Sequence, residues 1–371
     1  QADGGGGAGE VLDWVLRVAL ADDLAERGRP LSPLGEAREL LADLAPRVSE
    51  PGLFSASQLA DVAWAAASLL LQHVPLMAAV APRCSDGGEF SPGDVACLAW
   101  SFATLSMRHC PLMTVLGRAA RPRAADMGLA ELVGMAWAFA TLSCRSLALL
   151  AAVGEEVASR LAGATAREVA NVLWAFAYLR AVHPPLMEAA CAQLCEGLGP
   201  LQCSALCSVA WSLAVSSWSH APLLAAVAER FLALEGSQSA VELRVSLCWS
   251  LALARAPHAP ALARLAPFVE QRASSLGDEQ VVKMIWSFAR LAARDVPVRS
   301  VMAIMDQAVE RPQRLGPEDA SVVVWALAQI VPTFAPLLTA QQAAQHSLQT
   351  LTQHSFEPPP APPPPHPRSK T

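Results

Sequence analysis

The chain has 371 residues, of which 53% are hydrophobic and 16% charged, and its formal net charge is −6. Such a chain can bury a large core, and length alone allows two or three domains. The acidic balance argues against a protein that binds nucleic acid over its whole surface. Nine cysteines, an odd number without a secretory pattern, argue for a reducing compartment.

The N-terminal region differs in composition from the rest of the chain. Residues 1–9 contain a glycine run and are predicted to be disordered. Gly4, Gly6 and Gly9 formally match the G-x-G-x-x-G fingerprint, but no strand precedes them, so the match is attributed to chance. Residues 10–50 are predicted to form an N-terminal cap of two or three helices.

From residue 51 onward a repeat dominates the sequence. Eight tryptophans recur at spacings of 36 to 39 residues, which indicates one structural unit copied end to end. They are Trp64, Trp100, Trp137, Trp174, Trp211, Trp249, Trp286 and Trp325. Below, a signed number such as +3 counts residues from the tryptophan of a repeat.

Each repeat is predicted to be a helical hairpin. Apolar residues fall mostly at −5, −2, −1, +2 and +5, which is the period of an amphipathic helix, and position +3 is always Ala. Position +11 is Pro in seven copies and predicts the first residue of a second helix. Starts of first helices are predicted at Ser91-Pro92, Thr165 and Gly316-Pro317. The predicted fold is all-α, a right-handed α-solenoid of about eight 37-residue hairpins over 51–352, without strands.

One stretch of the first hairpin raises the question of a membrane span. Residues 62–82 carry no charge and are long enough to cross a bilayer. Gln72, His73 and Pro75 lie in the middle, where the other copies place their turn, so no span is predicted.

The C-terminal residues 353–371 are predicted to be a disordered, proline-rich tail. The segment 357–368 (EPPPAPPPPHPR) favours an extended polyproline conformation. It could dock a proline-binding module or remain a solvated tail.

Four cysteines have a spacing that could suggest zinc. Cys191, Cys195, Cys203 and Cys207 form C-x3-C-x7-C-x3-C. Both pairs are spaced i, i+4 on helices, where Cys packs like Ala, and we favour that interpretation over a metal site.

Charge is distributed unevenly. Residues 1–61 hold 11 acidic and 5 basic residues, whereas the rest of the chain is neutral, with 22 of each. Basic residues form two clusters, which could be phosphate-binding stripes or ordinary solvated faces. The first comprises Arg108, Arg118, Arg121, Arg123 and Arg145, and the second Lys283, Arg290, Arg294, Arg299, Arg311 and Arg314.

One face of the first helix suggests a surface that binds one residue of a ligand per repeat. Positions −3 and +4 vary, while +1 is only Ala or Ser, which we interpret as a groove floor that admits a chain. The candidate RNA-binding residues are Asn171, Tyr178, Lys283, Arg290, Gln329, Thr104, Thr141, Arg108 and Arg145. These positions could instead simply face solvent.

Position +9 is His in five copies: His73, His109, His183, His220 and His258. Successive copies are too far apart to share a metal ion. They are interpreted as turn residues that cap or pack, with a phosphate-contacting ladder as the alternative. No catalytic motif is present, so neither enzymatic activity nor a cofactor or metal is predicted.

The helical hairpin with its W-[AS]-[FL]-A-x-L core resembles the heptatricopeptide and octotricopeptide repeats, and also the repeats of FAST-kinase-like and RAP-domain proteins. The phrase Asn171 to Leu179 (NVLWAFAYL) carries the match, which covers about 300 residues. Two departures are that no RAP-like domain follows the repeats and that the array is less basic than expected.

This resemblance implies an RNA-binding protein of mitochondria or plastids, whose cleaved presequence would leave no trace. Its implied roles are stabilising, processing or translating transcripts, or association with organellar ribosomes. The implied partner is single-stranded RNA on the concave face, with ribosomal proteins as further partners. The alternative is a non-enzymatic protein–protein interaction scaffold within a large complex.

Overall fold

The computed structural model describes residues 33–50, 52–85, 90–234, 241–291, 298–310 and 314–334. These residues form α-helices and three short 3-10 turns, and no strand occurs among them. The predicted disordered ends, 1–9 and 353–371, lie outside the described residues, as does most of the predicted cap. None of the described helices is long and apolar enough to cross a membrane.

Sixteen α-helices are described, and they follow one another in hairpins. They are α1 Pro33–Val48, α2 Ala56–Ser68, α3 Val74–Ser85, α4 Pro92–Thr104, α5 Cys110–Ala120, α6 Leu129–Thr141, α7 Leu147–Arg160, α8 Ala166–Tyr178, α9 Pro184–Glu196, α10 Cys203–Val215, α11 Ala221–Ala233, α12 Val241–Leu253, α13 Ala259–Gln271, α14 Asp278–Arg290, α15 Val298–Val309 and α16 Pro317–Phe334. The eight repeat tryptophans lie on α2 and on the even-numbered helices that follow, and we call these the first helices.

The chain forms two compact units, which divide between Ala190 and Cys191. In the first unit, α2, α4, α6 and α8 pack side by side in that order, and α3, α5 and α7 form a second row. In the second unit, α10, α12, α14 and α16 form one row and α11, α13 and α15 the other. Each unit is therefore a double layer of helices, and its core lies between the two rows.

Local capping chemistry sets where the first helices begin. The Ser91 hydroxyl accepts from the Asp94 amide at 3.1 Å, while the Asp94 carboxylate accepts from the Ser91 amide at 2.8 Å. Thr165 and Glu168 form the same reciprocal pair. These contacts confirm the predicted starts at 91 and 165, and α16 begins at Pro317, also as predicted.

The first helices end in a backbone conformation that the sequence does not reveal. Position +6 has a positive φ of 51° to 55° in six repeats, at Leu70, Ser106, Ser143, Arg180, Ser217 and Arg255. In the first repeat, the Leu70 amide donates to Ala67 O and the Leu71 amide to Ala66 O, the Schellman pattern. Glycine usually occupies this left-handed position, so each of these six repeats carries some backbone strain there.

The second helices begin at the repeated histidines. His109 Nδ1 accepts a hydrogen bond from the Leu112 amide at 3.2 Å, and the other four histidines make the same bond at 3.2 to 3.4 Å. The prediction that these histidines cap the turn is thereby confirmed. The repeated proline, as in α5 at Pro111, is the second helical residue, one later than predicted.

The small residues of the first helix lie on its two flanks. A step of 100° per residue puts +1 and +3 on roughly opposite sides, where neighbouring first helices touch. Position +1 is 0% exposed in all eight repeats. The residues are Ala65, Ser101, Ala138, Ala175, Ser212, Ser250, Ser287 and Ala326. The prediction that +1 forms an accessible groove floor is therefore wrong, because lateral helix packing buries it.

Candidate functional site

The site with the clearest chemistry is a cleft in the first unit. It lies where α5 faces the turn 143–146 and the start of α7, and it encloses about 370 Å³. We call it the arginine cleft. It is lined by Arg108, Cys110, Met113, Thr114, Gly117, Arg118, Arg121, Phe139, Ser143, Cys144, Arg145, Ser146, Ala148 and Leu149.

Four arginines and no carboxylate line this cleft. Arg108 and Arg145 both occupy position +8, so the repeat itself brings them to equivalent places in neighbouring hairpins. Arg118 lies in the last turn of α5, where a cation is favoured by the helix dipole, and Arg121 follows directly. All four are exposed. The cleft is therefore a concentration of positive charge open to an anionic ligand.

Two thiols complete the polar lining. The neighbouring Cys110 and Cys144 thiols raise the pKa of Arg108. Burial raises the pKa of Cys144, with the neighbouring Cys110 thiol as a smaller cause. Because no carboxylate lines the cleft, the charge of Arg108 is not cancelled there.

Arg145 is partly engaged in holding the fold. Its Nε donates to Leu179 O at 2.9 Å and its Nη2 to Arg180 O at 3.3 Å, at the end of α8. Gln72, at the same +8 position of the first repeat, donates to Leu105 O in the same way. Arg145 therefore bridges adjacent repeats and presents only its remaining donors to the cleft.

The cleft continues into an aromatic pair at its edge. The Ser143 hydroxyl lies 3.2 Å from the Tyr178 hydroxyl, and the Tyr178 ring stacks on Trp174 with centroids 5.3 Å apart. The structure thus brings three predicted residues, Arg108, Arg145 and Tyr178, into one neighbourhood. Positive charge beside stacked rings is the combination that single-stranded nucleic acid binds.

The last member of the first arginine cluster lies elsewhere. Arg123 Nη1 donates to Phe90 O, in the preceding repeat. Arg160 bonds Met127 O at 2.7 Å in a similar way and pairs with Glu156. Some of the arginines therefore hydrogen-bond the backbone of an adjacent repeat.

The second predicted basic cluster is largely neutralised. Three of its members pair with carboxylates: Lys283 with Glu279 at 2.6 Å, Arg299 with Glu270 at 3.4 Å and Arg314 with Asp278 at 3.1 Å. Arg294 and Arg311 lie outside the described residues. The described members of this cluster therefore do not form a free basic stripe.

Arg290 is the exception in that cluster. Its Nε is buried without a hydrogen-bond partner, and burial together with the nearby charge of Arg255 lowers its pKa. Lys283, two turns earlier, lies 5.3 Å from the Trp249 ring. The surroundings of Arg290 therefore disfavour its positive charge.

The remaining predicted positions are dispersed. Asn171 and Gln329 are exposed, and Thr104 and Thr141 are half-buried. The Thr104 hydroxyl is buried without a hydrogen-bond partner. Lys283, Arg290 and Gln329 belong to the second unit and the other candidates to the first.

Three of the four cysteines with the C-x3-C-x7-C-x3-C spacing pack in the interior. Cys191, Cys203 and Cys207 are buried and Cys195 is exposed. Burial raises the pKa of Cys191 to about 11. Among the residues described, no three His, Cys, Asp or Glu side chains are grouped so as to hold a metal ion.

Neither the protein-family models nor the curated proteins contain a match to this chain. The resemblance to the heptatricopeptide and octotricopeptide repeats stays a prediction.

Proposed function

We propose that this chain is a non-enzymatic RNA-binding protein of a mitochondrion or plastid. It acts in stabilising, processing or translating an organellar RNA, or in association with an organellar ribosome. Its helices continue as a right-handed solenoid of about eight 37-residue hairpins, related to the heptatricopeptide and octotricopeptide repeats. Single-stranded RNA contacts it at the arginine cleft and the adjoining Tyr178.

The arginine cleft is the observation that carries this proposal. Arginine binds phosphate through a planar fork of donors, and Arg108, Arg118 and Arg121 have no carboxylate beside them in the cleft. The Trp174–Tyr178 stack next to it supplies the aromatic surface on which an unpaired base packs.

The contact surface differs from the one that the repeat pattern predicts. In the first four repeats, positions −7, −3 and +4 carry only two charges, Asp61 and Arg167. That face offers phosphate no net attraction. We therefore place the RNA at the turns between first and second helices, where position +8 supplies arginine.

Crosslinking in the native cell tests the function. The protein would be crosslinked to RNA by ultraviolet light, captured, and the attached RNA sequenced. Enrichment of one or a few organellar RNA segments supports the proposal. Protein partners without enriched RNA would reject it in favour of the scaffold.

Purified protein tests the site. The double substitution Arg108→Gln and Arg121→Gln should weaken binding of single-stranded RNA about tenfold, because two phosphate contacts are lost. The matched control is Arg299→Gln with Arg314→Gln, which removes the same charge from ion-paired positions. Equal losses in both variants would mean that only net charge matters and that the cleft is not the site.

One observation favours the scaffold alternative. Exposed large hydrophobic residues of the first unit lie at the turns: Leu70, Val74, Leu147 and Val182 are 51% to 71% exposed. Apolar side chains at the same edge in three repeats suit a protein partner. For a scaffold, replacing Leu70 and Val74 by Ser should abolish capture of protein partners while leaving RNA affinity unchanged.

A further inference from the structure

The tryptophans of the first unit form a row on the free face of the first helices. Positions −2 and +2 are buried against the second helices, and position 0 lies on the opposite side of the helix. Trp64, Trp100, Trp137 and Trp174 are each half-buried, so part of every indole faces solvent. The four tryptophans of the second unit are buried, at 2% to 9% exposure.

The side chains around this row are small and nearly all uncharged. Its flanking positions −3 and +4 hold short side chains such as Cys97, Thr104 and Gly134. A Cβ added to Gly134 would meet no atom within 4 Å, so there is open space beside Trp137. An uncharged ligand that packs on indoles suits this surface better than a polyanion does.

The spacing expected between neighbouring first helices is close to one turn of a polyproline II helix. Helices that pack through Ala and Ser approach to about 8–10 Å, and the first helices touch through such residues at +1 and +3. A polyproline II helix advances about 9.3 Å for each turn of three residues. Every third residue of such a segment would therefore meet one indole of the row.

The chain itself contains a segment with this character. Residues 357–368 include eight prolines among twelve residues, with one Glu and one Arg that cancel in charge. In polyproline II form the segment is roughly 37 Å long, which is enough to cross four first helices. Proline rings pack on tryptophan, and the unpaired carbonyls of this helix accept from indole N–H groups.

We propose that the tryptophan row binds the proline-rich segment 357–368 of this protein. The 22 residues from 335 to 356 span up to about 75 Å when extended, and a connecting segment of that length allows 357–368 to bind as a separate peptide would. The row shares Trp174 with the proposed RNA site, but the docking itself does not require RNA.

A peptide-binding measurement tests the proposal. The receptor is the full-length chain in which prolines 358–360 and 362–365 are replaced by serine, so that its own segment does not compete. The probe is a fluorescent peptide of residues 355–368, followed by fluorescence anisotropy. We expect saturable binding, and we expect the unmodified chain to bind the peptide at least tenfold more weakly than this receptor.

Two glycine substitutions locate the peptide without disturbing the fold. Gly134→Gln fills the open space beside Trp137 and should weaken peptide binding tenfold or more. Gly163→Gln, in the 3-10 turn after α7 and with equally open surroundings, is the matched control and should leave binding unchanged. Trp100→Phe should weaken binding several-fold, because a smaller ring and no N–H remain.

The proposal would be overturned if the peptide showed no saturable binding, or if Gly134→Gln left peptide affinity unchanged. It would also be overturned if Gly134→Gln weakened binding of an oligouridine but not binding of the peptide. The Arg108→Gln and Arg121→Gln variant separates the two proposals. It should reduce RNA binding and leave peptide affinity unchanged.

Discussion

At the scale of single residues, the five turn histidines act as helix caps. The cap requires an unprotonated Nδ1, because that atom accepts the hydrogen bond from the backbone amide, as at His109 and Leu112. We expect His109→Ala to lower the free energy of unfolding by about 1 kcal/mol and His109→Asn to keep most of it, since Asn is a good N-cap. Urea unfolding measures both. Equal losses would show that the ring packs rather than caps.

The buried thiols give a second prediction at this scale. Burial raises the pKa of Cys84 and Cys248 to about 12 and of Cys97 to about 11, and only the thiolate reacts. At pH 8 the thiolate fraction of these groups is on the order of 0.001 or less. Alkylation followed by mass spectrometry should therefore label exposed Cys110 well before these three. Reactivity of the buried thiols should rise only at pH values near their pKa or on unfolding.

At the scale of the helix, the left-handed residue that ends six of the first helices is strained. Ser106 has a φ of 55° and makes the Schellman contact through its backbone amide. Ser106→Gly should raise the free energy of unfolding by about 0.5–1 kcal/mol, because removing Cβ relieves more strain than the added chain entropy costs. Ser106→Val should lower it. Thermal unfolding of the two variants tests this, and a loss on introducing glycine would contradict it.

Lateral packing of the first helices gives another prediction at this scale. Ser101 is fully buried and its hydroxyl donates to Cys97 O within the same helix at 2.7 Å. Ser101→Leu should cost about 2–3 kcal/mol or prevent folding, since the neighbouring helix would have to move away. Ser101→Ala should be nearly neutral, as the other repeats already have Ala there. Tolerance of Leu would restore the groove-floor interpretation of this position.

At the scale of the whole molecule, the repeat made the helices predictable. The period of the tryptophans, the apolar pattern and the capping residues predicted where the hairpins lie. Position +1 was assigned wrongly, because a small side chain suits both a groove floor and a close helix contact. The left-handed residues are not predictable from the sequence, since Leu70 and Arg180 carry no local signal for positive φ.

The candidate site was only partly predictable. Arg108 and Arg145 share position +8, so the sequence alone places them in neighbouring turns. Pairing of Arg299 with Glu270 depends on tertiary packing between residues far apart in sequence. The number of basic residues therefore overestimates the unpaired positive charge on the surface of the second unit.

This distribution of charge leads to a prediction for the intact protein. If RNA contacts are confined to the arginine cleft, about four arginines neutralise phosphate. The logarithm of the RNA association constant should then fall against the logarithm of salt concentration with a slope of about −3, because each contact on a single strand contributes about −0.7. One phosphate contact in each of eight repeats would instead give about −6.

Fluorescence anisotropy with a labelled single-stranded RNA between 50 and 200 mM salt measures this slope. In the Arg108→Gln and Arg121→Gln variant the slope should fall to about half its original value, since two of the four phosphate contacts are lost. The control with Arg299 and Arg314 replaced should keep the original slope, because these side chains are already paired with carboxylates. A slope near −6 that the cleft variant barely changes would place the phosphate contacts along the repeats rather than in the cleft.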